Sequence, residues 1–212
     1  MTENVSFTLK GLRIVIFFYL LSIIMTVTNS IFNYSFKNPT GAFITGIIGL
    51  LTLIIIAYGI RLVLKEKKDF GPSHEKSTTK AGKFILVGIL FFLFLSFFVI
   101  PFVALSVADY LSDFGISIMV AAGYTVIMVP FWLAMVYLIK ELAEENIRKL
   151  LWFAFYFHII IFFITRCIVF ESFGISPNLY VLVQLFSIIP SLLVAFCYYK
   201  TYLRIKEKQI MV

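Results

Sequence analysis

Six apolar stretches, each about long enough to cross a lipid bilayer, fill most of this 212-residue chain. A hydrocarbon core about 30 Å thick requires roughly 20 helical residues. The chain is 61% hydrophobic and 18% aromatic, whereas soluble domains are about half apolar and a quarter charged. We therefore predict an all-α fold, a polytopic membrane helix bundle with six transmembrane helices. The predicted spans are residues 14–32, 42–60, 84–108, 114–139, 150–170 and 179–199.

The basic residues sort to one side of this predicted bundle. In a six-span chain, the two chain ends and the connections after the second and fourth spans lie on the same side of the membrane. Of the 18 Lys and Arg residues, 16 fall in these segments, and only Lys37 and Arg166 do not. By the positive-inside rule, both termini of a plasma membrane protein with this pattern lie in the cytoplasm. The other 16 are Lys10, Arg13, Arg61, Lys65, Lys67, Lys68, Lys76, Lys80, Lys83, Lys140, Arg148, Lys149, Lys200, Arg204, Lys206 and Lys208.

The net charge of +7 follows from these 16 basic residues, which we call the basic collar. Near a membrane surface each basic residue attracts anionic lipid by about 1 kcal/mol. The expected partners are therefore the bilayer and its anionic headgroups. Nucleic acid is not expected as a partner, because short loop ends form no continuous groove with stacking platforms.

The longest connection, residues 61–83, contains Gly71-Pro72-Ser73, which is expected to break a helix, and then the polar run Ser77-Thr78-Thr79. We predict a basic cytoplasmic linker here, too short to fold alone. The whole chain, residues 1–212, is then a single six-helix transmembrane domain that contains this linker.

Two turns on the opposite side share a short string. Residues 112–117 read Ser-Asp-Phe-Gly-Ile-Ser, and residues 171–176 read Glu-Ser-Phe-Gly-Ile-Ser. This similarity suggests three repeated two-helix hairpins. Chance matching in a sequence rich in Phe, Ile, Gly and Ser is the alternative.

Small residues in the second span predict close helix packing, since small side chains four positions apart let two helix backbones approach. Prolines at 101, 130 and 190 lie within the third, fourth and sixth predicted spans, where each removes a backbone hydrogen bond and bends the helix. The candidate helix-packing residues are Gly41, Ala42, Thr45, Gly46 and Gly49.

Two ionisable residues lie inside predicted spans, and such residues are functional candidates because their burial in lipid is costly. His158 falls near the midplane of the fifth span, and Arg166 falls near its outer end, about 80° away around the helix. They form a candidate intramembrane polar path. The carboxylates expected to pair with Arg166, as an outer ion-pair cluster, are Asp109, Asp113 and Glu171.

Enzyme motifs fail on residue type or spacing, so we predict a protein that is not an enzyme and has no metal, cofactor or catalytic residues. Asp109 and Asp113 form a lone D-x-x-x-D pair without a second acidic motif. Glu144, Glu145 and His158 lack a second intramembrane histidine to complete a three-ligand metal site.

Two functions remain open. The first is a non-enzymatic subunit that packs against other membrane subunits or copies of itself. The second is a small transporter or channel that uses His158 and Arg166.

Overall fold

The computed structural model describes residues 6–32, 39–95, 113–170 and 177–210, and these residues form helices joined by short turns without any strand. The prediction of an all-α fold is confirmed. In chain order the helices of the described ranges are α1 (Phe7–Phe32), α2 (Pro39–Lys65), α3 (Pro72–Phe94), α4 (Asp113–Ile139), α5 (Glu145–Phe170), α6 (Pro177–Phe186) and α7 (Ile188–Ile210).

Five segments of the described residues are long and apolar enough to cross a bilayer, which identifies the chain as an integral, multi-pass membrane protein. They correspond to the first, third, fourth, fifth and sixth predicted spans. The second predicted span lies within α2, a helix of 27 residues. The five segments are Phe7–Thr28, Pro72–Phe94, Ile118–Ile139, Glu145–Cys167 and Val181–Lys208.

The sixth predicted span contains two helices instead of one. Helix α6 ends at Phe186, Ser187 forms a turn, and α7 begins at Ile188. Pro190 explains the break, because its ring has no N–H and crowds the carbonyl four residues earlier, which is that of Phe186. Pro130, in contrast, lies inside the continuous helix α4. Pro101 lies outside the described residues.

The connection between the second and third spans is shorter than expected for a linker over residues 61–83. Helix α2 continues to Lys65, and α3 begins at Pro72. Proline is favoured at the first helical position, where its missing N–H costs nothing. Gly71 precedes it with φ of 92°, a conformation that glycine adopts readily. The Gly-Pro pair therefore starts a helix, and only residues 66–71 of this segment are irregular.

The helices pack side by side in the order α2, α1, α7, α5, α4, α3, and α6 contacts α1, α5 and α7. The first and last long helices, α1 and α7, are thus neighbours in space, whereas α2 and α3, which follow one another in the chain, lie at opposite ends of this row. Arg13 of α1 contacts Tyr202 of α7, so both chain ends lie at one end of the bundle. We call this the charged end: the start of α1, the α2–α3 turn, the start of α3, the α4–α5 turn and the end of α7.

The apolar core lies mostly in the half of the bundle next to the charged end. Leu12, Val63, Ile139, Leu151 and Tyr198 are each at most 1% exposed. Helices α1 and α2 approach closely there, since a Cβ atom added to Gly11 would lie 2.6 Å from the carbonyl oxygen of Gly59. Among the residues whose burial the structure describes, the helices are thus closely packed next to the charged end.

Candidate functional site

The first turn of α1 is capped by a side chain from a distant turn. Ser6 Oγ accepts a hydrogen bond from the Leu9 N–H at 3.2 Å. The Glu66 carboxylate accepts from the N–H groups of Phe7 and Thr8 at 2.7 and 2.8 Å. Three N–H groups that the helix cannot pair itself are thereby satisfied.

These bonds also set the charge state of Glu66. Partial burial raises the pKa of this carboxyl, but the backbone N–H groups of Thr8 and Phe7 outweigh that effect, so the pKa lies below its ordinary value. The carboxylate also meets the positive end of the helix dipole. The ionised form of Glu66 therefore holds the α2–α3 turn against α1.

Further polar contacts at the charged end join other helices. Arg13 Nε donates to the Tyr202 hydroxyl at 2.7 Å, which links α1 to α7. Tyr198 donates its hydroxyl proton to the Met135 carbonyl at 2.7 Å, which links α7 to α4. Arg204 donates to the Leu142 carbonyl at 2.8 Å in the α4–α5 turn. Each of these bonds connects elements that are far apart in sequence.

Hydroxyl groups further along the spans make a different kind of bond. Thr26, Thr28, Thr125 and Thr165 each donate to the carbonyl four residues earlier in the same helix, at 2.7 to 2.9 Å. Such bonds satisfy the hydroxyl without a partner helix. The hydrogen bonds described for Thr28, Thr125 and Thr165 thus stay within one helix.

His158 lies against α4 in the middle of the bundle. Its ring stacks on Trp132 with centroids 4.4 Å apart and planes 28° apart. Beside it is a small cavity of about 10 Å³, bordered also by Tyr19, Phe155 and Val194. Such a volume holds about one water molecule. It is far smaller than the several hundred cubic ångströms of a site for a small organic ligand.

Arg166 lies two turns further along α5 and also faces aromatic rings of the bundle. Its guanidinium carbon is 4.9 Å from the Phe162 ring centroid and 5.8 Å from that of Tyr124. Phe162 in turn packs edge-on against Trp132 at 5.0 Å. The rings of Trp132 and Phe162 thus lie between His158 and Arg166. The polar path that joins these two residues stays a prediction.

The outer ion-pair cluster lies largely beyond the described residues. Asp109 and Glu171 are outside them, and of Asp113 only the backbone, at the start of α4, is described. The predicted packing residues Gly41, Ala42, Thr45, Gly46 and Gly49 lie in the described backbone of α2, but their surroundings are not described. Both sets stay predictions.

Glu144 and Glu145, the last acidic residues before His158 in the sequence, lie close to basic side chains. Glu144 lies 3.8 Å from Arg204, and Glu145 lies 2.9 Å from Lys149. Within the described part of the chain, no three His, Cys, Asp or Glu side chains come close enough together to hold a metal ion.

His74, expected in a solvated linker, is instead buried in the first turn of α3. It is 1% exposed, and neither ring nitrogen has a hydrogen-bond partner among the described residues. The ring packs edge-on against Phe70 at 5.5 Å. A buried polar group without a partner costs about 1 to 3 kcal/mol. No sequence pattern marks this position, because the burial depends on α3 beginning at Pro72.

The second half of α3 is exposed on all sides among the described residues. Gly88 is the last buried residue of the helix, where an added Cβ atom would lie 2.8 Å from the Phe131 ring of α4. From Ile89 to Phe94, six consecutive apolar side chains are each 43% to 58% exposed. From Ile89 to Leu93, side chains on every side of α3 are thus about half exposed.

Comparison with protein-family models, with curated proteins and with solved structures finds no match.

Proposed function

We propose that the protein is a non-enzymatic membrane subunit that works by packing, as an accessory component of a membrane complex or as a homo-oligomer. The observation that carries this proposal is the exposed outer half of α3. A plasma membrane location with both termini in the cytoplasm is part of the proposal, and it is supported by the basic residues gathered at the charged end.

The other helices show what ordinary lipid exposure looks like in this bundle. The large exposed apolar residues of α5 are Phe153, Tyr156, Ile160 and Ile164, spaced three or four positions apart. That spacing gives one stripe along a helix. In α3, the five consecutive exposed residues from Ile89 to Leu93 turn through about 400°, which covers the full circumference. Stripe exposure fits a helix that faces lipid on one side, whereas exposure all round fits a helix with room for new neighbours.

Packing is the interaction such a surface offers. Lipid chains are as apolar as leucine, so helix association in membranes depends on close van der Waals contact. Phe91 and Phe92 are 43% and 48% exposed and supply a large, shape-specific area for that contact. The interior supports the same function, because the cavity beside His158 is too small for a substrate other than water.

A small transporter or channel with a polar path near His158 and Arg166 is the second candidate. The observation that favours it is the position of His158 beside a cavity where α1, α4, α5 and α7 meet. A continuous path to Arg166 requires the rings of Trp132 and Phe162 to move aside. The packing function needs no such rearrangement.

A matched pair of positions tests the packing function. Leu90 on α3 and Ile160 on α5 are both 56% exposed. A photo-reactive amino acid is placed at each position in turn, and the native membranes are irradiated. We expect protein adducts from position 90 and lipid adducts alone from position 160. Lipid adducts alone from both positions would overturn the proposal.

Native mass spectrometry of the gently extracted protein then identifies the partner. A reproducible heteromeric mass indicates a complex subunit, and a multiple of the chain mass indicates a homo-oligomer. A monomer whose reconstituted solute flux is abolished by His158→Ala would establish the second candidate in place of the first.

A further inference from the structure

Two lysines from different helices flank one aromatic ring near the charged end. Lys80 of α3 places its Nζ 5.7 Å from the centroid of the Tyr137 ring, and Lys140, just after α4, places its Nζ 4.3 Å from the same centroid. Phe84 and Trp152 also contact this ring, at 5.3 and 6.1 Å between centroids. A cationic pair thus lies beside a small aromatic cluster.

The backbones that carry these side chains are held together. Ser77 Oγ donates to the Tyr137 carbonyl at 2.6 Å, and Ala81 beside Lys80 is fully buried. The two lysine stems therefore start from a fixed contact between α3 and α4. The entropy cost of bringing both ammonium groups to one anion is therefore smaller than it would be if the two helices moved independently.

The charges leave a positive excess at this point. Glu141 pairs with Lys140 at 3.3 Å. Lys80 is exposed, and no carboxylate of the described residues lies within ion-pair distance of its ammonium group. Lys76 and Lys83, one turn to either side of Lys80 on α3, are also exposed. A single negative charge placed beside Lys80 and Lys140 balances this excess.

The depth of the cluster matches the headgroup layer of a membrane. The apolar run of α3 begins at Phe84, directly after the last of its lysines, and α4 ends at Ile139. Tyrosine and tryptophan are enriched at this level of membrane proteins. Tyr137 and Trp152 therefore mark the boundary between headgroups and acyl chains.

We propose that Lys80, Lys140 and Tyr137 form a binding site for the phosphate group of an anionic phospholipid. The ammonium groups bind the phosphate oxygens, and the acyl chains lie along the apolar surface of α3 beyond Phe84. The site requires a membrane-embedded bundle but does not depend on the packing function.

The test compares two variants of equal net charge. Lys80→Gln/Lys140→Gln removes the pair, and Lys68→Gln/Lys206→Gln removes two other exposed lysines. Delipidated protein in neutral detergent is titrated with phosphatidylglycerol or phosphatidylcholine, and bound lipid is counted by native mass spectrometry. We expect phosphatidylglycerol to bind the first variant roughly tenfold more weakly or worse, and the second variant about as tightly as the original chain. An equal loss of phosphatidylglycerol affinity in both variants would overturn the proposal, because the total charge of the basic collar would then explain the binding.

A further titration separates a lipid from a free anion and does not depend on the folding of the lysine variants. Trp132→Phe leaves Trp152, beside Tyr137, as the single tryptophan. We expect its fluorescence to change on addition of phosphatidylglycerol and to stay constant with phosphatidylcholine. Inorganic phosphate at the same concentration should not reverse the change. Reversal by phosphate, or an equal response to both lipids, would overturn the assignment to an anionic phospholipid.

Discussion

The charged end and the remainder of the bundle are held together by different interactions. At the charged end, Glu66, Arg13 and Tyr198 make hydrogen bonds to other helices. Along the spans, threonines such as Thr125 bond to the carbonyls of their own helix. Among the described residues, directional bonds thus join the helices at the charged end, while apolar side chains along the spans are exposed to lipid or to other proteins.

The location of this network follows from the solvent. Near the headgroups, water competes for polar groups and charged side chains are inexpensive, so long basic and acidic residues can reach between helices. In hydrocarbon a threonine must satisfy its hydroxyl locally or find a partner helix, and here it does so locally. The two regions should consequently respond very differently to single substitutions.

The largest effect is expected for Gly11→Leu at the α1–α2 contact. The added side chain would meet the Gly59 carbonyl oxygen at 2.6 Å and Val63 Cγ2 at 2.7 Å, and the carbonyl is backbone that cannot rotate away. We expect the free energy of unfolding, measured by denaturing-detergent titration, to fall by about 3 kcal/mol. Gly82→Ala is the control, since nothing lies within 4 Å of an added Cβ there. Equal stability of Gly11→Leu and the original chain would show that this contact does not hold α2.

A change of opposite sign is expected for His74→Leu. The imidazole is fully buried without a hydrogen-bond partner in the described structure, and leucine has a similar volume without buried polar atoms. We expect the unfolding free energy to rise by about 2 kcal/mol. A loss of stability in the same titration would mean that the ring has a polar partner, such as a bound water molecule.

Tyr198→Phe and Thr125→Val compare the two kinds of hydrogen bond directly. Phenylalanine at 198 removes the bond from α7 to the Met135 carbonyl, and we expect a cost of about 1 kcal/mol. Valine at 125 removes a bond within α4, and we expect a change below about 0.5 kcal/mol. Equal costs at the two positions would remove the distinction between the two regions.

A small effect is also expected for Glu66→Gln, and it is seen best as a pH dependence. Because the pKa of Glu66 is lowered on folding, the cap stabilises the protein fully above the ordinary value of 4.5 and is lost as the pH falls through the lower, folded-state pKa. At neutral pH, Glu66→Gln should cost about 0.5 to 1 kcal/mol. Thermal melts at decreasing pH from 7 should show that this difference shrinks once the pH falls below 4.5. A difference that stays constant as the pH falls would contradict the cap, and Glu207→Gln, at an exposed position near the end of α7, is the control.

Sequence alone predicted the helical class and the position of the spans, because the length and composition of an apolar run are read directly from the chain. It missed where the runs are interrupted. Pro72 begins a helix in a segment that was expected to be a linker. A Gly-Pro pair can end the helix before it or begin the helix after it, and the sequence does not distinguish these two cases. Pro190 divides a span that was predicted as one helix.

The candidate residues stay predictions, and the sequence could not indicate their surroundings, for a physical reason. His158 and Arg166 were marked by their charge in an apolar segment, but Trp132 and Phe162, which lie between them, are common residue types in any membrane span. Gly11, Glu66 and His74 carry no pattern that separates them from other surface residues. Their roles arise from neighbours 48 or more positions away for Gly11 and Glu66, and from the burial of an entire helix turn for His74.

The amino-acid sequence by itself determined that this chain is a multi-pass membrane protein with its basic residues at one end, because hydrophobic length and charge are local properties. Only the tertiary structure decided which helices are neighbours, that Trp132 and Phe162 separate His158 from Arg166, and that Lys80 and Lys140 both lie near the Tyr137 ring. Each of these facts depends on contacts between side chains of separate helices. The free energy of such contacts depends on both partners and cannot be read from any single position of the chain.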